Sequence, residues 1–256
     1  MNGAFEVGAV ALRGQQRALE TMANNIANVN TPAFKRTDVV YSEIVGNAAT
    51  GLADANAMPL AVAELPGGVR VSARDMISAQ GELRTTGNAL DLAIEGRGFV
   101  ELMGPEGQTL LWRGGRLSVN RDGYLSADGG ALKSLISVPG DATDLRIDRE
   151  GMVSVTTADG EALDLGQIGL VRLDSDAGLE RVGAGMYRVS EDGRVTDATP
   201  GEDGAGAFSQ GMLEGSNVDF SAAMIEMLMI QRAYAASAQI VQSADQLASI
   251  TNNLKR

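Results

Sequence analysis

Carboxylates dominate the chemistry available to this 256-residue chain, which holds 33 Asp and Glu against 21 Lys and Arg and has neither His nor Cys. Two carboxylates on either side of a glycosidic bond could hydrolyse it, but nothing in the spacing selects a pair from so many. Trp112 is the one tryptophan, and the aromatics that line sugar sites are scarce. Calcium would need alternating Asp/Asn ligands and a distal Glu, a pattern absent from every acidic stretch. Gly96-Arg97-Gly98 resembles a phosphate loop only superficially, because no helix is predicted after it. Lys35-Arg36 is too short for a nucleic-acid patch; it is expected to meet acidic or backbone groups of a neighbour, or to stay in solvent. Without His the commonest general base and transition-metal ligand is missing. Without Cys there are no disulfides, zinc thiolates or thiol nucleophiles. The expectation is a chain that is not an enzyme, with no catalytic residues, no metal and no cofactor.

The charge of −12 is unevenly placed. Residues 1–45 carry four basic and four acidic residues, residues 217–256 three and three, and residues 46–216 carry 14 basic and 26 acidic. Neutral ends can pack on copies of themselves without self-repulsion, whereas an acidic middle suits a solvated surface and disfavours nucleic acid. The N-terminus has no basic segment followed by a continuous apolar run, so no cleaved signal peptide is expected. No apolar run is long enough for a membrane span.

These residues must be held by elements whose limits glycine marks. Three of the 32 glycines fall in residues 1–45 and none in 217–256; glycine weakens helix interiors and serves turns. Both ends therefore read as helices. Phe5, Leu12, Leu19 and Ile26 recur every seven residues, with Met22 and Val29 between them, and Thr31-Pro32 is expected to end the helix. At the other end Phe220, Met227, Tyr234, Val241 and Ala248 form one row. Ala223, Ile230, Ser237, Ala244 and Thr251 form a second, widened by Ile240, Leu247 and Leu254. Asn217 or Asp219 is the expected N-cap, and a helix over 219–254 would be about 50 Å long. Residues 46–66 lack periodicity and read as a linker or extended arm. Residues 67–216 read as short strands: Leu90, Leu92 and Ile94 alternate with polar residues, and Asp122-Gly123, Asp128-Gly129, Asp159-Gly160 and Asp192-Gly193 supply tight turns. The expected architecture is α+β: a discontinuous helical coiled-coil domain of residues 1–45 and 217–256, with an antiparallel all-β domain inserted.

Five segments, in order, resemble the flagellar axial proteins, the family of rod and hook subunits. In ANNIANVNTPAFKR at 23–36, Asn24, Asn25, Ile26, Ala27, Asn28, Thr31, Phe34 and Lys35 occupy the family's N-terminal signature, although Ala33 stands where the family usually has Gly. That substitution is expected to alter the turn locally. LDLAIEGRGFVEL at 90–102 is similar to the family's strand entering the β domain. Arg113 to Leu125 is similar to its hairpin, with Gly114-Gly115 in place of an acidic pair. QGMLEGSNVD at 210–219 and IQRAYAASAQIVQSADQL at 230–247 resemble the junction and the C-terminal helix.

The resemblance implies a structural subunit of the bacterial flagellar basal-body rod. In that family the terminal helices pair into an inner coiled-coil domain around an export channel, and copies stack helically into a shaft that transmits torque to the hook. The implied partners are the chain itself, neighbouring rod and hook subunits and the flagellar export apparatus, with no nucleic acid and no direct membrane insertion. The implied place is the basal body, spanning the periplasm. The expected assembly interface is Leu12, Leu19, Asn24, Asn25, Ile26, Asn28, Val29, Phe34 and Lys35 with Phe220, Met227, Ile230, Tyr234, Val241 and Leu247. Length and the Gln231–Tyr234 run favour the distal rod type over a proximal rod or hook-type subunit. A secreted β-domain binding module and an acidic-site hydrolase are the readings from other classes.

Overall fold

Ala, Leu, Arg, Gln and Glu fill residues 2–27 and carry them into a helix despite three internal glycines. In the computed structural model, which describes residues 2–44, 68–104, 107–173, 179–183, 185–190, 193–202 and 204–254, this helix is α1, Asn2–Ala27. Two of its glycines mark close approach. A Cβ on Gly8 would lie 2.7 Å from Val241 Cγ2, and one on Gly14 equally close to Val71 Cγ2. α1 stops before the expected Thr31-Pro32. Residues 28–33 form turns instead, with Thr31 N donating to Asn28 O and the Thr31 hydroxyl to Asn28 Oδ1. The C-terminal helix α2, Phe220–Leu254, starts where the carboxylate of Asp219 accepts the Ala222 amide at 3.0 Å. Asn217, the other expected cap, is engaged elsewhere. Residues 46–66 lie outside the described residues.

Among the described residues eighteen short strands lie between the helices. They are β1 (Thr37–Ile44), β2 (Gly68–Asp75), β3 (Leu83–Thr85), β4 (Asp91–Glu95), β5 (Val100–Met103), β6 (Thr109–Trp112) and β7 (Gly114–Val119). Then follow β8 (Leu125–Ala127), β9 (Gly130–Leu132), β10 (Ala142–Ile147), β11 (Met152–Thr157), β12 (Ala162–Gln167) and β13 (Leu170–Leu173). The last are β14 (Leu179–Gly183), β15 (Met186–Val189), β16 (Val195–Ala198), β17 (Ala207–Gln210) and β18 (Met212–Glu214). A nine-stranded sheet runs β14-β15-β6-β5-β9-β8-β7-β4-β17, beside a three-stranded sheet β10-β11-β12 and the pairs β1-β2, β13-β16 and β18-β3. The overall class is α+β with antiparallel pairing through the β region.

The Asp-Gly turns are local and strong. Asp128 (φ 45°) and Gly129 (φ 86°) join β8 to β9 with both central residues left-handed, the geometry a two-residue hairpin needs. The alternation at Leu90, Leu92 and Ile94 gives only one face, because Asp91 to Ile94 are all buried: β4 sits between β7 and β17, with both faces covered. Gly114 in β7 lies against it, and a Cβ there would come within 2.8 Å of Leu92 O.

The chain divides into two compact units. One holds residues Met1–Ala27, Thr37–Arg74 and Asp219–Arg256; the other holds Asn28–Arg36 and Asp75–Val218. The second has a core of Leu92, Ile94, Leu102, Trp112, Leu117, Leu125 and Phe208, among others, with a smaller cluster of Ile77, Phe99, Leu111, Val171 and Tyr187. The first has a small core of Ala18, Met22 and Ile230, against which Leu19, Val39 and Met227 pack.

Candidate functional site

In the helical unit α1 and α2 run antiparallel. Gly8 approaches Val241, Gln15 Nε2 donates to Ser237 Oγ at 3.1 Å, and Met22 packs with Ile230. Of the expected interface residues, Ile230 is buried here and Leu12, Leu19, Ile26, Met227 and Val241 are half-buried. Phe220, Tyr234 and Leu247 are exposed; α1 meets Ala223, Ile230 and Ser237 of one row and Met227 and Val241 of the row that begins at Phe220, which is therefore only partly covered. Further apolar side chains that the heptads did not single out are also exposed, namely Met224, Ile225, Leu228, Met229 and Ile250, as is Ile240, which they did, at 69%. Asn24 is exposed, but Asn25 is buried, and its carboxamide grips one residue twice: Thr37 N donates to Oδ1 at 2.9 Å and Nδ2 donates to Thr37 O at 2.8 Å.

In the β-rich unit Asn28, Val29 and Phe34 are half-buried, and Lys35 takes neither course expected of it. It is fully buried, with Nζ 2.5 Å from Glu214 Oε1 and 2.8 Å from Ala79 O. Burying an ammonium is tolerated only with such partners. Glu214 Oε1 also accepts the Gly81 amide at 2.7 Å, while its Oε2 lies 3.3 Å from Nε of Arg113, itself 1% exposed. Two cations thus share one carboxylate. Carbonyl oxygens and a ring face absorb the excess positive charge. The Arg113 guanidinium donates to Gly96 O and Gly98 O, and its centre stands 5.6 Å from the centroid of the Phe99 ring. Burial lowers the Arg113 pKa, with Glu214 opposing, but an arginine stays charged in a protein. Tyr187 stacks edge-on to Phe99, centroids 5.8 Å apart, and burial pushes its phenol up to about 12.

Arg113 and Glu214 entered the sequence reading only as parts of motifs. Their signal was there: each is a lone charge in an apolar and glycine setting, Leu-Trp-Arg-Gly-Gly and Met-Leu-Glu-Gly. Among the described residues no cluster of three or more His, Cys, Asp or Glu is arranged to hold a metal, and no helix is long and apolar enough to cross a membrane.

Three stretches match known families. Residues 5–35 match the flagella basal body rod protein family, residues 93–155 the flagellar hook protein FlgE/F/G D1 domain, and residues 209–254 the flagellar basal body rod FlgEFG protein C-terminal family. The flagellar basal-body rod protein FlgG of Caulobacter vibrioides is 34% identical over 98% of this chain and 99% of its own length. Its namesake from Agrobacterium fabrum is 35% identical over the same shares, and that of Bacillus subtilis 32% identical over 97% of each. The chain belongs to the flagellar basal-body rod protein family. It is a structural rod subunit of the flagellar basal body, not an enzyme. Each matched stretch supplies one member of the buried cluster: Lys35 closes the first, Arg113 lies in the second and Glu214 in the third.

Proposed function

We propose that this rod subunit polymerises with copies of itself into a helical shaft through its terminal helices. The observation that carries the reading is α2. Phe220, Met224, Ile225, Leu228, Met229, Tyr234, Ile240, Leu247 and Ile250 are each more than a third exposed. Their numbers put them on several sides of the helix, and a helix apolar all round is one that ends buried. Neutral ends and an acidic middle fit the same picture. Identical contacts that do not close into a ring generate an open filament.

On this reading residues 1–45 and 217–256 form the inner, coiled-coil layer, residues 67–216 an outer domain inserted between them, and residues 46–66 a connecting arm. The interface residues are those named from the sequence, with Lys35 and Asn25 acting from within by holding the backbone around them. The shaft transmits torque from rotor to hook across the periplasm, adjoins other rod and hook subunits, and is built from chains that leave through the flagellar export apparatus. The distal rod type is favoured, in keeping with the relatives named FlgG.

Deleting the gene and examining swimming and basal bodies by electron microscopy tests this. The expected outcome is non-motile cells whose basal structures stop after the proximal rod and before the hook. An earlier stop would move the assignment to the proximal rod. Motile cells with intact hooks would defeat it.

A further inference from the structure

Residues 28–36 contain no regular secondary structure, yet Ala33 and Lys35 within them are buried. This nine-residue segment is held in the manner of a peptide ligand. Ala33 N donates to Glu214 O at 2.8 Å, Lys35 Nζ reaches Glu214 Oε1, and Asn217 N donates to Phe34 O. Arg36 N donates to Asn217 Oδ1 at 2.6 Å, and Met76 N donates to Arg36 O at 2.9 Å. From the third side Arg181 donates to Lys35 O and its guanidinium stands 4.7 Å from the Phe34 ring centroid. Asn217 reads two walls of the seat at once, because its Nδ2 also donates to Met76 O at 3.1 Å and Ala79 O at 2.9 Å.

We propose that residues 28–36 are a strap that docks last, into a seat completed by Glu214 and Asn217 at the far end of the same unit. Two physical reasons order the events. The strap's main bonds close loops of 179 and 181 residues, whereas β5-β6, β7-β8, β8-β9 and β10-β11-β12 pair near neighbours along the chain; long loops close at greater entropic cost and later. The charges agree. Arg113 and Glu214 make a neutral pair before the strap arrives, and Lys35 is desolvated only once Ala79 O and Glu214 Oε1 stand ready. N- and C-terminal junctions of the unit are thereby fastened in one step, which gives the subunit a signal of completion: the segment after α1 is seated only when the segment before α2 is in place. All these contacts lie within one chain, so the proposal stands or falls independently of polymerisation.

Amide hydrogen exchange on the full chain tests it. In Asn217→Ala the Arg36 and Ala33 amides should exchange about tenfold faster or more, while Leu111 in the central strand β6 changes by less than about twofold. Unchanged protection at Arg36, or loss of protection by one factor at both places, would overturn the strap. The unaltered chain supplies a second measurement that holds even where the variant fails to fold. On refolding from denaturant with pulsed exchange labelling, Arg36 and Ala33 should gain protection after Leu111. Simultaneous or earlier protection would refute the docking order.

Discussion

In the β-rich unit Trp112, Arg113, Tyr187, Lys35 and Phe208 are each less than 2% exposed, whereas in the helical unit Met229 and Ile240 stand 65% and 69% exposed. The contrast extends to polar groups. The β-rich unit buries a lysine, an arginine and a glutamate together, with the carboxylate between the two cations and with backbone carbonyls and one amide as further partners. Among the described residues the helical unit buries little beyond Ala18, Met22, Asn25, Ala223 and Ile230. A unit with a large buried core carries the stability of the free chain; a unit with apolar side chains left in water carries its capacity to associate. Substitutions in the two should therefore separate stability from assembly.

The largest effect belongs to the buried cluster. Glu214→Ala strands two desolvated cations, and a broken buried pair costs about 3–5 kcal/mol. At 2–4 °C per kcal/mol for a chain of this size, the melting temperature should fall by roughly 10 °C, read by calorimetry. A loss below about 1 kcal/mol would mean that water reaches the site, and the contrast between the units would weaken.

Next comes Tyr187. Its phenol is pushed up to about 12 by burial, with Arg181 and Arg113 opposing. Below pH 10 both folded and unfolded chains hold the proton and the group is silent. Between pH 10 and 12 the unfolded phenol ionises while the folded one does not, so stability falls as pH rises, by about 1 kcal/mol at pH 11. Denaturant titrations at pH 8 and pH 11 should show that decline in the parent chain and its absence in Tyr187→Phe. An equal decline in both would place the alkaline sensitivity elsewhere.

What was legible in the sequence follows the range of the interaction. The C-terminal helix, the Asp219 cap and the turns at Gly123, Asp128-Gly129 and Gly160 are set by residues within a few positions of one another and stand where the pattern put them; α1 ends at Ala27, short of the expected stop, and Asp192 lies outside the described residues. Lys35 was misread because its carboxylate lies 179 residues away, and no local pattern distinguishes a lysine destined for burial from a solvated one. Tyr234 falls on a heptad row and is exposed in the single chain, because α1 covers only part of that row and periodicity cannot say which members an intramolecular partner takes. Ala33 is a third kind of case. It adopts φ 55°, the left-handed region that glycine enters freely, with its Cβ lying against Gly185. A left-handed alanine there costs about 1 kcal/mol relative to glycine.

The smallest expected change in the free chain falls on α2, and there the two units part most sharply. Ile225 and Ile240 are 55% and 69% exposed and no described core includes them. Gln is as good a helix former as the isoleucine it would replace. The double variant Ile225→Gln/Ile240→Gln should therefore melt within about 0.5 kcal/mol of the parent. In the assembled shaft each isoleucine would be worth about 1.5–3 kcal/mol if fully covered. Losing both should weaken subunit association by two orders of magnitude or more, seen as cells that make the folded protein yet lack complete rods and do not swim. If those cells swim like the parent, the exposed face of α2 is not where copies meet, and the apolar residues left in water would need another occupant. If instead the variant is strongly destabilised as a free chain, the helical unit buries more of α2 than its exposure indicates, and the division of labour between the units is drawn in the wrong place.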